Sequence, residues 1–305
     1  MKQPLIIELK ANSLDDGPGV RSVVFVKGCP LSCLWCHNPE SKRTAQEISY
    51  SRPDCIGCGL CLQSCKQQAL DKEKEYYIDR GKCNLCFACA DVCPAKALTR
   101  VGKEISAEEI VSTVLSDKPF FDVSGGGVTL SGGEITMFPE YAGHMLRQFK
   151  SHGIHTLIET CGHFQFNVFK EMMLPFTDMI YYDIKLFDSD LHKEYCGVGN
   201  KTILKNFIRL QELSKDGSFE LIPRTPLIPD ITDRDLNLSA IAGFLKECKV
   251  KKAHLLPYNP TWVDKIKKIG MEDPENNYVN KKWQSEEKLA ECKSFFLERG
   301  ITVDI

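Results

Sequence analysis

The chain of 305 residues is 43% hydrophobic and 26% charged, an ordinary globular composition, long enough for one α/β domain carrying an insertion. Its 39 basic and 41 acidic residues leave a formal charge of −2, which argues against a nucleic-acid or membrane-surface binder. The 15 cysteines, in a chain without a secretion signal, point to bound metal rather than to disulfides. The opening run MKQPLIIELK is too short for a signal peptide and is interrupted by Glu8. No stretch approaches the ~18 apolar residues of a membrane span, so a soluble, cytoplasmic protein is expected.

The first strand is SVVFVKG (22–28), and GCPLSCLWCHNPES (28–41) follows it. That segment spaces Cys29, Cys33 and Cys36 as C-x3-C-x2-C. Three thiolates this close suggest a metal, yet structural zinc and four-iron clusters both usually take four protein ligands. The fourth position is either filled from elsewhere or left open.

Next comes a cysteine-rich stretch. Cys55, Cys58, Cys61 and Cys65 are spaced C-x2-C-x2-C-x3-C, and Cys83, Cys86, Cys89 and Cys93 repeat the spacing, with Pro94 after the last. This is the bacterial ferredoxin run, in which the fourth cysteine of each set ligates the other set's cluster. One cluster is therefore expected on Cys55, Cys58, Cys61 and Cys93, and a second on Cys83, Cys86, Cys89 and Cys65. Residues 49–100 read as an inserted ferredoxin-like α+β domain, within a larger domain formed by residues 1–48 and 101–305. Cys161, Cys196, Cys248 and Cys292 stand apart and read as small buried hydrophobes. Cys292, for example, shares a helical face with Leu289 and Phe296.

Beyond the insertion, β-rich runs alternate with helical stretches. GVTLSGG (127–133), HTLIETCG (155–162), MIYYDIK (179–185), FELIPRTPLI (219–228) and KAHLLPYN (252–259) read as strands. Helices are expected over 139–152, 166–175, 201–215, 234–248 and 285–299, and the polar stretch 261–284 reads as a loop. Six β-then-α units argue for a parallel sheet with helical crossovers, a partial (β/α)6 TIM-like barrel. The chemically interesting residues gather at the carboxyl ends of the strands, the face on which such barrels build their sites. A doubly wound open sheet would place ligands there as well.

DGPGVR (16–21), the C-x3-C-x2-C segment and SGGGVTLSGGE (124–134), together with IETCG (158–162), YYDIK (181–185) and LLPYN (255–259), resemble the activating enzymes of glycyl radical enzymes. These belong to the radical S-adenosylmethionine (SAM) superfamily. The resemblance spans nearly the whole chain and answers the question of the fourth ligand. It implies that Cys29, Cys33 and Cys36 hold three irons of a [4Fe–4S] cluster, the fourth iron being reserved for the amino nitrogen and carboxylate of SAM. It further implies one-electron reductive cleavage of SAM to methionine and a 5′-deoxyadenosyl radical. That radical takes a hydrogen atom from a backbone glycine of a partner enzyme.

By position in the shared motifs, Gly132 and Gly133 allow close backbone approach to a ligand, and Glu134 faces the SAM amino group. Ile135 stands where relatives carry a proline. His37 and Asn38 lie beside the cofactor. Glu159 and Thr160 lie near the SAM carboxylate, Asp183 completes a carboxylate pair that a monovalent cation can join, and Lys185 neutralises charge. Arg224 suits a carboxylate partner. Asn259 takes a place often held by histidine, which retains hydrogen bonding without titration. The glycines of SGGG (124–127) suit either approach by the partner's glycine loop or a flexible lead-in.

The resemblance implies three [4Fe–4S] clusters in a monomer that draws electrons from reduced flavodoxin or ferredoxin. The two clusters of the insertion either relay those electrons or provide structure and a docking surface. Two other readings are a radical SAM enzyme acting on a small molecule and a plain electron carrier. DGPGVR and the insertion disfavour the first, and the incomplete three-cysteine motif disfavours the second.

Overall fold

The computed structural model describes residues 3–74, 76–271 and 282–305. The chain opens with an antiparallel pair, β1 (Ile6–Ser13) and β2 (Arg21–Val26). The next pair, β3 (Glu47–Tyr50) and β4 (Leu98–Val101), forms a separate two-stranded antiparallel sheet. Between β3 and β4 lie two short helices, α1 (Leu60–Ser64) and α2 (Ala88–Asp91). Helices α3 (Ala107–Ser116) and α4 (Lys118–Ser124) then lead into β5 (Gly127–Gly132).

From there strands and helices alternate. The order is α5 (Pro139–Ser151), β6 (His155–Thr160), α6 (Phe166–Met172), β7 (Met179–Asp183), α7 (Ser189–Cys196), α8 (Lys201–Leu213) and β8 (Glu220–Pro226). It closes with α9 (Asp235–Glu247), β9 (Lys252–Leu256), α10 (Trp262–Lys268), α11 (Glu286–Leu297) and β10 (Thr302–Asp304). The main sheet runs β1-β2-β5-β6-β7-β8-β9-β10, parallel from β2 onward. Among the described residues it ends at β1 and β10, and no helix is long and apolar enough to cross a membrane.

The period-2 geometry of a strand decides which residues reach the site. Val24, Val26, Val128, Leu130, Ile158, Ile180, Tyr182 and Leu255 face the helices in one large core. The alternate positions point to the other face, where Leu157, Tyr181 and Ile222 form a small cluster of their own. Two residues further along from each of these, on that same alternation, come Glu159, Asp183 and Arg224 at the carboxyl ends. Helix starts are capped as their sequences dictate: Ser106, Asp188 and Ser285 accept from backbone N–H groups in the first turns of α3, α7 and α11.

DGPGVR and SGGG meet at the opposite, amino-terminal end of the strands. Arg21 is fully buried; its Nε donates to Thr129 Oγ1 at 2.7 Å and its Nη2 to the Val128 carbonyl at 2.6 Å. A Cβ on Gly126 would fall 1.8 Å from the Val20 carbonyl oxygen, and one on Gly127 2.0 Å from that of His155. Gly126 and Gly127 are required by the chain's own crossing, which corrects the reading of a flexible lead-in there, whereas a Cβ on Gly125 would meet nothing within 4 Å. A second correction concerns 261–284: Trp262–Lys268 is helical, with Trp262, Val263 and Ile266 buried. Residues 272–281 of that stretch lie outside the described residues. The edge strands β1 and β10 and the helices α3, α4 and α7 do not follow from the sequence reading. Cys292 and Phe296 are fully buried in the main core, as their spacing predicts.

Residues 47–101 form their own small core around Ile48, Tyr77, Ile78, Phe87 and Leu98. They are pinned to the rest of the fold by Lys27. Its buried Nζ donates to Glu47 Oε2 at 2.5 Å and to the Glu40 carbonyl at 2.6 Å. Removing one partner of a buried pair leaves an uncompensated charge. Lys27→Met is therefore expected to lower unfolding free energy by about 3–5 kcal/mol, and Lys27→Met with Glu47→Leu to recover most of it. Urea midpoints read this directly; a single variant as stable as the parent would show that the pair does not hold the two parts together.

Candidate active site

The carboxyl ends of β2, β5, β6, β7 and β8 converge on one place. Leaving β2, the cysteine loop is closed by Gly28 N–H donating to the Ser41 carbonyl at 2.6 Å and Cys29 N–H to that of Lys42 at 3.2 Å. Cys29, Cys33 and Cys36 share one apolar cluster with Leu31, Trp35, Tyr195, Tyr258 and Trp262. Two thiols from distant parts of the chain, Cys161 and Cys196, are buried in the same cluster. The adjacent Cys196 thiol, with Lys185 and Lys42 nearby, outweighs burial and lowers Cys33 to about 7. Burial and the neighbouring Cys33 push Cys36 up to about 12. At that value Cys36 does not ionise unaided near neutral pH, and a bound cation is what makes such a thiol do so.

The GGE turn grips this loop from β5. Gly133 N–H donates to the Val26 carbonyl and Glu134 N–H to the Gly28 carbonyl, both at 2.8 Å. A Cβ on Gly132 would lie 2.1 Å from Val26 N, and one on Gly133 2.2 Å from Gly28 O. The close approach that these glycines allow is thus to the chain itself. Glu134 is buried, and four donors already meet its carboxylate: Thr136 N–H, Thr136 Oγ1, Thr160 Oγ1 at 2.9 Å and Cys161 N–H at 2.7 Å. Ile135 is fully buried and begins a short 3-10 turn in place of the proline.

Beside the thiols lies an ionic network built from four strands. Ser131 Oγ donates to Glu159 Oε2 at 2.5 Å, and Arg224 Nη1 to Glu159 Oε1 at 2.5 Å. Arg224 Nε reaches Asp183 Oδ1 at 3.0 Å, and Lys185 Nζ reaches Asp183 Oδ2 at 2.7 Å. Burial opposes ionisation of Asp183, but Arg224 and Lys185 outweigh it and hold the carboxyl below its usual range. Burial likewise works against the charge on Lys185, and Asp183 with the Cys33 thiol overcomes it, raising the ammonium's pKa. Two carboxylates are balanced by two cations, so a monovalent cation would compete with Arg224 and Lys185.

The remaining expected residues sit around the rim. His37 is exposed. Asn38 Oδ1 accepts from Lys265 Nζ at 2.9 Å, and Asn259 Oδ1 accepts from Thr261 N–H at 3.0 Å, at the start of α10. Sequence reasoning missed Lys42, whose Nζ donates to the Cys33 carbonyl at 2.7 Å, and also Ser131, Cys161 and Cys196. Only Ser131 carried a signal, as the next position on the site-facing alternation before Gly133.

In the region between β3 and β4, a cavity of about 290 Å³ is lined by Cys55, Cys58, Cys61 and Cys93 together with Tyr50 and Tyr77. A second, smaller cavity is lined by Cys65, Cys83, Cys86 and Cys89. The two runs also share a backbone. Left-handed φ values occur at Gly57 and Leu85, at Gly59 and Phe87, and at Gln68 and Lys96, matched positions in the two repeats. Side chains other than glycine adopt that conformation only where the surroundings impose it. Such turns aim successive N–H groups inward, as anionic groups require. Among the described residues no three His, Cys, Asp or Glu side chains converge closely enough for a single metal ion. Thiols this widely set suit a cluster in which each iron takes one thiolate better than one tetrahedral zinc.

Comparison with known proteins agrees with this chemistry. Residues 54–97 match the family of 4Fe-4S dicluster domains, and residues 15–74 that of 4Fe-4S single cluster domains. The chain is 35% identical to an isethionate sulfite-lyase activating enzyme of Oleidesulfovibrio alaskensis over 281 residues, 90% of each chain. It is 38% identical to a trans-4-hydroxy-L-proline dehydratase activating enzyme of Clostridioides difficile, over 96% of each. In fold it is similar to a radical SAM methyltransferase from Sphaerobacter thermophilus, with a TM-score of 0.57 at 14% identity, covering 99% of this chain and 76% of that one. The chain belongs to the glycyl radical enzyme activating enzymes of the radical SAM superfamily.

Proposed function

We propose that Cys29, Cys33 and Cys36 hold an open-site [4Fe–4S] cluster that, with SAM, installs a glycyl radical on a partner enzyme. The observation that carries this reading is the packing of those three thiols beside the Ser131–Glu159–Arg224–Asp183–Lys185 network at the carboxyl ends of the sheet. When bound, cluster and SAM supply reductive cleavage of the C5′–S bond to methionine and a 5′-deoxyadenosyl radical, which takes a hydrogen atom from a backbone glycine of the partner. The chain's residues bind and orient. Arg224 presents a rigid fork toward the carboxylate side, with Glu159, Thr160 and Asp183 fixing its surroundings. Lys185 and Lys42 set positive charge against the thiolates. Gly132, Gly133 and Glu134 serve the cofactor site by gripping Gly28 and Cys161, and His37, Asn38 and Asn259 frame its rim.

The sheet is read as a partial (β/α)6 barrel formed by residues 1–48 and 101–305, its site-facing side open between the edge strands. Residues 49–100 are read as the ferredoxin-like insertion, with one cluster on Cys55, Cys58, Cys61 and Cys93 and another on Cys83, Cys86, Cys89 and Cys65. Two cavities lined by those two sets support the assignment, which makes three [4Fe–4S] clusters in all. The insertion then passes electrons from reduced flavodoxin or ferredoxin to the open cluster of a cytoplasmic monomer.

Anaerobically reconstituted protein is expected to hold about twelve irons per chain, four per cluster, and to form 5′-deoxyadenosine from SAM when reduced with dithionite. Cys33→Ala should lose about four irons and all cleavage. Full iron without any deoxyadenosine in the parent would leave an electron carrier instead. Arg224→Lys forfeits one charge-assisted hydrogen bond, about 1.5–3 kcal/mol, so cleavage at low SAM should fall about 10- to 100-fold; an undiminished rate would remove Arg224 from the binding site. Cys58→Ala and Cys86→Ala should slow activation driven by flavodoxin or ferredoxin, and equal rates in a folded variant would contradict the relay.

A further inference from the structure

We propose that the mouth of the first cavity of the insertion is the docking surface for an acidic one-electron carrier protein. Electrons then enter at Cys55, Cys58, Cys61 and Cys93 and leave through the second site toward Cys29, Cys33 and Cys36. This rests on the reading of the two cysteine sets as relay clusters. Strand β3 orders the sites. Glu47, at its start, is the residue held by Lys27 of the main domain. Ile48 lines the second cavity, and Tyr50, about 7 Å further along the strand, lines the first. The second cavity therefore faces the body of the fold. Beside it Arg80 donates its Nη2 to the Ile48 carbonyl at 3.0 Å, and a Cβ on Gly270 would meet the Arg80 Nε at 2.3 Å. Gly270 follows α10, and the next residue, Met271, packs on the apolar cluster that contains Cys29, Cys33 and Cys36.

The two cavities differ in what frames them. Among the described residues no charged side chain lines the second, whereas Arg52, Lys72 and Lys74 line the first and no carboxylate does. All three cations are exposed. Lys74 is paired with Asp79 at 3.3 Å, while Arg52 and Lys72 form no ion pair among the described residues. Asp54, Asp71 and Glu73 are close in sequence but lie outside the lining. Ile56, 68% exposed, lines the same mouth, and Leu60, between the lining residues Gly59 and Cys61, is 43% exposed. Uncompensated cations around exposed apolar side chains fit a protein face of opposite charge. The charges steer the encounter and set its orientation, and the apolar contacts bring the carrier's redox group close. A small anionic reductant would use the cations alone, so the apolar side chains select a protein.

The test uses the full chain, reconstituted anaerobically, as parent, as Arg52→Glu with Lys72→Glu, and as Lys201→Glu with Lys205→Glu. The last pair is exposed on α8 and makes the same change in net charge. The probe is a reduced flavodoxin of net negative charge. Stopped-flow absorbance of the clusters gives the reduction rate at about 0.1 M and about 1 M salt, where charges are screened beyond about 10 Å and about 3 Å. The variant at Arg52 and Lys72 is expected to be reduced about tenfold more slowly than the parent at the lower salt, with the gap closing at the higher. The α8 variant should stay near the parent. In the parent itself, independent of how any variant folds, a carbodiimide that condenses a carboxylate with a lysine amine should link the flavodoxin to Lys72 or Lys74 in peptide mass maps. Equal slowing of both variants, a slowing that salt leaves unchanged, or cross-links only to lysines elsewhere would each overturn the docking surface while leaving the relay intact. A parent that binds only about four irons, or one with full iron that the flavodoxin does not reduce, would overturn the relay reading and the inference with it.

Discussion

Two backbone hydrogen bonds hold the site together: Gly133 N–H to Val26 O and Glu134 N–H to Gly28 O, each 2.8 Å. They fasten the exit of β5 to the exit of β2, and the cysteine loop begins at that junction. Only glycine fits at Gly132 and Gly133, because a side-chain carbon would collide with backbone that cannot yield. Glu134 extends the junction by a strand. Its buried carboxylate takes the Thr160 hydroxyl and the Cys161 amide, so the turn after β6 is fixed to the same point. Such a carboxylate, fully met by donors, is a rigid part of the scaffold rather than a free charge.

The ionic network shows how strand alternation and burial combine. Glu159, Asp183 and Arg224 are on three neighbouring strands, and Lys185 follows β7 by two residues. Water is largely absent, with side-chain exposures of 10% for Arg224 and 13% for Glu159. The interactions are therefore strong, and the groups are costly to leave unpaired. An equal count of opposite charges keeps the network viable. Its charged partners are also the ones that flank the thiols, so the protonation of Cys33 and of Lys185 is set by one shared environment.

Much of this was legible in the sequence for definite reasons. Parallel strands announce themselves through continuous apolar runs ending in Gly, Asp or Glu, and both cysteine spacings are local patterns that need no tertiary knowledge. What stayed hidden depends on contacts between remote segments. Nothing near Cys196 or Lys42 in the sequence reveals that they pack on Cys33. Trp262–Lys268 was obscured because lysines crowd its exposed side, although Trp262, Val263 and Ile266 keep helical spacing. The glycines of SGGG were visible, but their purpose was not: the strand ends they pack against, at Val20 and His155, are far off in sequence. Glu134 was recognised as a site residue, and its four donors could be found only in three dimensions.

The matched left-handed turns of the two cysteine runs have a consequence for how that region came to exist and how it folds. The backbone conformation repeats at Gly57 and Leu85, Gly59 and Phe87, and Gln68 and Lys96, so the two runs are matched halves. The halves exchange their last cysteines, since Cys93 lines the cavity of the first run and Cys65 that of the second. This is the logic of a domain-swapped dimer drawn into one polypeptide. Neither half completes its own cavity, so the smallest unit that could have arisen by duplication and stayed useful is the pair. The glycines of the first half and the bulkier Leu85 and Phe87 of the second then record where the copies diverged.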